Sequence, residues 1–267
     1  MLNQIKKTAS SISETVNFEP EVGIILGTGL GSLGEHIDVV ATVDYAEIEG
    51  FPVSTVEGHK GRFIFGHLGG KRVVAMQGRF HYYEGYTPAQ VVFPVRVMKF
   101  LGIKYLFVSN ASGGLNPTFR TGNLMVIKDH INLIPNPLVG PNIEELGTRF
   151  PDMHDCYDPL IIALASKVAA REGIALQYGC YVGGTGPTFE TQSEYRYFKI
   201  IGGDAAGMST TPEVIAARHM SIPVFGVSVI TNVGESDEVS THEDVQLQGA
   251  KAAQNMTKLF IGILKEL

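Results

Sequence analysis

Residues 88–108, PAQVVFPVRVMKFLGIKYLFV, decide the fold class. Pro88 suits the first turn of a helix, where its missing N–H costs nothing, and Gly102 stands just past the apolar periodic stretch as a stop. The pattern predicts a helix over 88–101 leading directly into a strand from Tyr105 to Val108. The same unit recurs downstream. Helices over 159–172, 190–201 and 212–220 lead into strands over 175–182, 204–208 and 223–230, and a closing helix begins near 241. Upstream, Leu2, Ile5, Ala9, Ile12 and Val16 form the stripe of an amphipathic helix. Val22 to Leu26 reads as a buried strand that stops at Gly27-Thr28-Gly29-Leu30-Gly31. Arg62 to Gly66 and Arg72 to Gln77, around Gly69-Gly70, read as a hairpin. No repeat, low-complexity tract or linker interrupts this order, so one α/β domain over residues 1–267 is expected.

Composition narrows the function. Of the 267 residues 44% are hydrophobic and 18% charged, which suits a globular core. Gly, Pro or charge breaks every apolar run short of the roughly 18 to 20 residues a membrane helix needs, so no membrane partner is expected. No apolar segment follows Lys6 and Lys7, so a secretory signal is not expected either. Cys156 and Cys180 lie far apart without metal-type spacing, which fits reduced thiols in a cytoplasm. The net charge is -6, with Lys and Arg scattered, which speaks against a nucleic-acid partner. An anionic ligand would have to be held by a local cluster of donors.

In α/β sheets such clusters sit in loops beyond the carboxyl ends of strands. Gly29-Leu30-Gly31-Ser32-Leu33-Gly34 matches the dinucleotide-binding pattern, yet only Glu35 to Asp38 separates it from the next β-like run, Val39 to Val43. That leaves no room for a crossover helix, so a dinucleotide fold is not expected. The loop reads equally as a plain tight turn or as an anion loop in which Thr28 offers a hydroxyl and the glycines offer N–H groups.

The densest chemistry is Gly78-Arg79-Phe80-His81-Tyr82-Tyr83-Glu84-Gly85-Tyr86. Arg79 carries a planar fork suited to phosphate, and His81, two residues on, projects to the same side of an extended chain. Either residue alone would pass as a surface arginine or a core histidine; their packing between glycines at a strand end favours a site. Three further glycine-rich stretches follow: Asn110-Ala111-Ser112-Gly113-Gly114-Leu115-Asn116-Pro117, Gly186-Pro187-Thr188-Phe189-Glu190-Thr191 and Gly207-Met208-Ser209-Thr210-Thr211-Pro212-Glu213.

Together and in this order the four motifs resemble those of the trimeric, low-molecular-mass purine nucleoside phosphorylases, with likeness from about Gly23 to His242. The resemblance implies a mixed, partly barrel-like central β-sheet flanked by helices, in a homotrimer. It implies a phosphate site from Thr28, His59, Arg79, His81, the Ala111 amide and Ser209, with Thr28 standing where many relatives have Ser. It implies purine contacts from Phe189, Glu190, Ala206 and Asn232. Ribose contacts would come from Tyr83, Met208 and His242, with Phe150 supplied by a neighbouring subunit. From the residues alone, Glu190 reads as an acid in the first turn of a helix, Asn232 as a turn former, and Met208 and Phe150 as core fillers.

The implied reaction is phosphorolysis of inosine, guanosine or their deoxy forms, with Asn232, His81 and Glu190 as catalytic groups and phosphate as co-substrate. No cofactor or metal is expected, since the histidines form no H-E-x-x-H pair and His81, His154 and Asp155 lack ligand spacing. Two other readings stand beside it. The sister 5′-methylthioadenosine phosphorylases carry Asp where Asn232 stands. A silent nucleoside-binding module on the same fold would not need the intact set Arg79, His81, Ser209 and Asn232.

Overall fold

Strand β1 (Val22–Leu26) is buried along its whole length, as its unbroken apolar run requires. It lies in parallel between β4 (Lys71–Gln77) and β5 (Tyr105–Gly114). The expected hairpin forms from β3 (Arg62–Leu68) and β4, with β2 (Asp38–Asp44) antiparallel on its outer edge. Only a short 3-10 turn, Gly31–His36, separates the glycine loop from β2, so the crossover helix of a dinucleotide fold is absent. The remaining strands are β6 (Leu124–Asn132), β7 (Leu176–Gly183), β8 (Ala205–Gly207) and β9 (Val224–Val233). The sheet runs β2-β3-β4-β1-β5-β8-β7-β6-β9, and β9 pairs back onto β5. Strands β5, β8, β7, β6 and β9 thereby close into a small barrel with parallel and antiparallel pairs, as the family resemblance implied. The computed structural model describes residues 1–53, 55, 56, 60–233 and 241–267, with the His242 side chain and all of His59 outside the described residues.

Helices cover the sheet. On one side α1 (Leu2–Val16) buries Ile5, Ala9 and Ile12 against α3 (Phe93–Leu101), in a core shared with Val214 and Ala217 of α6 (Thr211–His219). The second core gathers α4 (Pro159–Glu172) and α7 (His242–Glu266). There Phe107, Phe225 and Phe260 pack with ring centroids 5.4 to 5.9 Å apart, in tilted and edge-on geometry. No described helix is long and apolar enough to cross a membrane.

Three expectations need correction, and one strand was not anticipated. The helix over 88–101 is two helices, α2 (Pro88–Val91) and α3, which part at Val92. Pro94 has no N–H, so a continuous helix would lose the bond back to Gln90. Strand β5 runs past Val108 to Gly114, because pairing with β9 from Leu106↔Val224 to Gly114↔Val233 satisfies the backbone of the polar Asn-Ala-Ser-Gly-Gly segment. Strand β6 was not anticipated: Leu124 to Ile127 is buried, but the polar tail to Asn132 is held extended by its ladder with β7. The helix expected over 190–201 is α5 (Gln192–Ile200), opened by Thr191, whose hydroxyl accepts from the Glu194 amide in a capping box. Glu190 therefore precedes the helix, and the first-turn acid is Glu194.

The barrel seam and β1 meet tightly where the site begins. A Cβ on Gly27 would lie 2.8 Å from both Asn110 Cα and Ser109 O, so no side chain fits between β1 and β5 there. Gly27→Ala should cost about 1–3 kcal/mol of stability through overpacking, read as a lowered urea midpoint; an unchanged midpoint would show that the strands part freely.

Candidate active site

The strand ends converge on a cavity of about 500 Å3 lined by residues from each of the four motifs and from the glycine loop. Thr28, Arg79, His81, Tyr83, Ala111, Phe189, Glu190, Ala206, Met208, Ser209 and Asn232 all line it. Phe150 does not. It stands 86% exposed on a second cavity of about 540 Å3, with the Arg149 guanidinium 5.7 Å from its ring centre. His59 and the His242 side chain lie outside the described residues.

One end of the cavity is cationic and rich in hydroxyls. Arg79 is 1% exposed, so its charge has to be matched inside the protein. Glu213, in the first turn of α6, engages Nε and Nη2 at 3.0 Å each. Nη1 donates to Ser109 O at 2.7 Å and to Ser209 Oγ at 3.3 Å. The Nε–Nη2 fork is thus committed to Glu213, and it is the Nη1 edge that sits with Ser209.

Ser209 is held there by unusual backbone. Thr210, fully buried, has φ 71° and ψ −53°, and Thr211 N bonds Ser209 O at 2.7 Å, a tight γ-turn that L-residues rarely adopt. Such strain costs on the order of 1–3 kcal/mol and persists only where surrounding contacts over-determine it. Here Asn110 Nδ2 donates to Thr210 Oγ1 at 2.9 Å, while Ser228 Oγ donates to Asn110 Oδ1 at 2.5 Å.

His81 and Glu84 form a second buried pair. Glu84 Oε1 accepts from His81 N and Nδ1, each at 2.8 Å, and Oε2 accepts from Thr55 N and Oγ1. Burial pushes the imidazole below its ordinary value against the pull of the carboxylate. Burial also works to raise Glu84, but the bonds from His81 and Thr55 win and hold it down at about 2. The neutral ring therefore donates its Nδ1–H to an ionised Glu84 in a hydrogen bond, which fixes the tautomer with Nε2 unprotonated. The ring stacks on Tyr83 at 4.7 Å and 14°.

The other end is an amide and a carboxylate. Asn232 lies near the end of β9, where the Thr231 hydroxyl has its Oδ1 and Ser112 O as acceptors, each at 3.2 Å. Burial raises the pKa of Glu190, against hydrogen bonds from its own backbone and from Tyr195. Among the described residues, no group of three His, Cys, Asp or Glu is placed to hold a metal.

Sequence reading missed two supports of this site. Glu213 closes a quoted motif but looks like any first-turn acid; only its burial against Arg79 reveals the pairing. Glu84 was in view inside the Arg79 motif, and its three-residue spacing from His81 was the available signal. The reach of β5 and β9 past their apolar cores also carried Ala111 and Asn232 out of loops and onto rigid strands.

A cationic, hydroxyl-lined end and an amide–carboxylate end sharing one cavity define a class of enzyme that moves a glycosyl group from a nitrogen base to an oxyanion. The model of the phosphorylase superfamily matches residues 21–265. Purine nucleoside phosphorylase 1 of Geobacillus stearothermophilus is 50% identical over 244 residues, covering 90% of this chain and 89% of that protein. The purine nucleoside phosphorylase of Mus musculus is 48% identical over 269 residues, covering 97% and 93%. The Schistosoma mansoni purine nucleoside phosphorylase solved in complex with inosine matches with a TM-score of 0.94 at 44% identity, over 99% of this chain and 96% of that one. The chain belongs to the purine nucleoside phosphorylase family of the phosphorylase superfamily.

Removing Glu213 would strand a buried guanidinium. Glu213→Ala should cost about 3–5 kcal/mol. Urea unfolding reads the effect; a loss under 1 kcal/mol would contradict the pairing.

Proposed function

We propose that this enzyme splits 6-oxopurine nucleosides with inorganic phosphate, releasing the free base and ribose or deoxyribose 1-phosphate. The observation that carries the reading is that the Glu190 carboxylate and the Asn232 amide line the same cavity as Arg79 and Ser209. An N1–H of hypoxanthine or guanine can donate to Glu190, and the two-sided amide of Asn232 suits O6 and N7. Adenine has no N1–H. Phe189 would lie along the ring and Ala206 beside it.

Phosphate would sit with the Nη1 edge of Arg79, the hydroxyls of Ser209 and Thr28, the Ala111 amide and His81, with His59 joining them. A dianion there offsets the positive charge that grows on ribose as the glycosidic bond breaks, while the base becomes electron-rich. Because His81 Nε2 is unprotonated, it can accept a hydrogen bond from the phosphate hydroxyl. Asn232 then stabilises the departing base at N7, a contact stronger in the transition state than in the substrate. The phosphate oxygen bonds to the anomeric carbon as the base leaves with the glycosidic electron pair and takes up a proton at N7 from water, with no covalent enzyme intermediate. Tyr83, Met208 and His242 would border the sugar.

Phosphate is the co-substrate, and no cofactor is called for. Phe150 stands too exposed to be a filler of its own core, and we read it as reaching the sugar site of a neighbouring copy in a homotrimer. The thiols of Cys156 and Cys180 are unpaired, in accord with a cytoplasmic enzyme. No nucleic acid or membrane enters the reading.

Incubating inosine with and without orthophosphate tests it. Hypoxanthine should appear only with phosphate, and Asn232→Ala should lower kcat by about 10²-fold or more. Equal release without phosphate, or a preference for methylthioadenosine over inosine, would overturn the assignment. Sedimentation should give three times the chain mass; a monomer would remove Phe150 from the site.

A further inference from the structure

Behind the amide–carboxylate end of the cavity lies a residue that does not line it. Tyr195 sits one turn into α5, its amide bonded to Thr191 O, and is 5% exposed. Its ring packs in a small core with Leu115, Val182, Phe198 and Ala206, the last of which also lines the cavity. Its hydroxyl stands beside both the Glu190 carboxylate and the Asn232 amide, close enough to influence each. All three groups crowd the end of β5: a Cβ on Gly113 would stand 3.4 Å from Asn232 Nδ2 and 3.6 Å from the Tyr195 hydroxyl.

We propose that Tyr195 is a positioning residue for base recognition, tying Glu190 to Asn232 so that the carboxylate and the amide present a single rigid edge to a 6-oxopurine. This rests on the function proposed above. The direction of the link follows from its chemistry: a carboxylate can only accept, so the Tyr195 hydroxyl donates to Glu190 and its oxygen is left to accept from Asn232 Nδ2. That arrangement leaves Oδ1 and one Nδ2 hydrogen for the base.

The tyrosine suits this task because it stays protonated. Burial, then the charge of Glu190, pushes its hydroxyl up to about 12, so at neutral pH it can only donate to the carboxylate. That donation favours the ionised form of Glu190, against burial and against the nearby negative charge of Glu194 on α5. An ionised Glu190 is what accepting from N1–H requires. A phenylalanine would preserve the packing against Leu115 and Phe198 and delete only the link.

The test is steady-state kinetics of Tyr195→Phe with inosine and phosphate across pH. We expect kcat/KM for inosine to fall about tenfold, with the KM for phosphate unchanged because the cationic end of the cavity is untouched. The acid limb of kcat/KM should move to higher pH, since Glu190 loses a bond that lowered its pKa. In a Glu190→Gln background the further effect of Tyr195→Phe should be smaller than in wild type, because the carboxylate it served is gone and only the contact with Asn232 remains. Inosine kinetics and an acid limb that match wild type would overturn the proposal, as would an equal rise in both KM values, which would mark a general packing role. Wild-type protein that releases no hypoxanthine with phosphate would instead defeat the function itself.

Discussion

A guanidinium with almost no access to water is the constraint around which the site is arranged. Arg79 follows β4, and its charge is tolerated only because Glu213 meets it with two bonds at 3.0 Å. That requirement fixes where α6 begins relative to the sheet. It also brings Ser209, four residues before Glu213, onto the Nη1 edge through the strained turn at Thr210. The same charge draws on Ser109 O of β5, so three separate elements share one cation. Buried pairs of this kind add little net stability, but they are intolerant of misplacement, and that makes them good rulers for a site.

The cavity is polar at both ends for different reasons. At the cationic end, donors are held by other protein groups before any ligand arrives: Arg79 by Glu213, His81 by Glu84, Ser209 by the turn. At the opposite end, Tyr195 packs behind the amide and the carboxylate. Preorganisation of this sort lets the groups meet developing charge without reorganising, which is where most catalytic stabilisation arises. Helix α7 packs against the glycine loop after β1, with Gly249 so close that a Cβ there would lie 3.0 Å from Thr28 O.

Much of the fold was legible because hydrophobic period survives translation into burial. The stripe of α1, the run of β1 and the hairpin of β3 and β4 lie where period and glycine punctuation placed them. Expectations failed where backbone pairing, not side-chain pattern, holds the chain extended. The Asn-Ala-Ser-Gly-Gly segment, the Thr231-Asn232 end of β9 and the polar tail of β6 have no strand-like composition; their ladders with neighbours make them strands. Pro94 was visible in the sequence, yet the surrounding apolar period concealed the break it makes.

The site divides in the same way. Residue types declared themselves in sequence: Arg79 with His81 between glycines, hydroxyls after a glycine turn, and a family order of motifs that named Glu190 and Asn232. Chain order alone determined that these chemistries exist and roughly which loops bear them. Only the tertiary structure decided that Arg79 spends its fork on Glu213, that Glu190 precedes its helix and lines the cavity, and that Tyr195, one turn on, packs behind it. Those outcomes depend on pairing groups far apart in sequence inside a medium of low polarity, where each buried donor must find an acceptor, and no local pattern encodes that match.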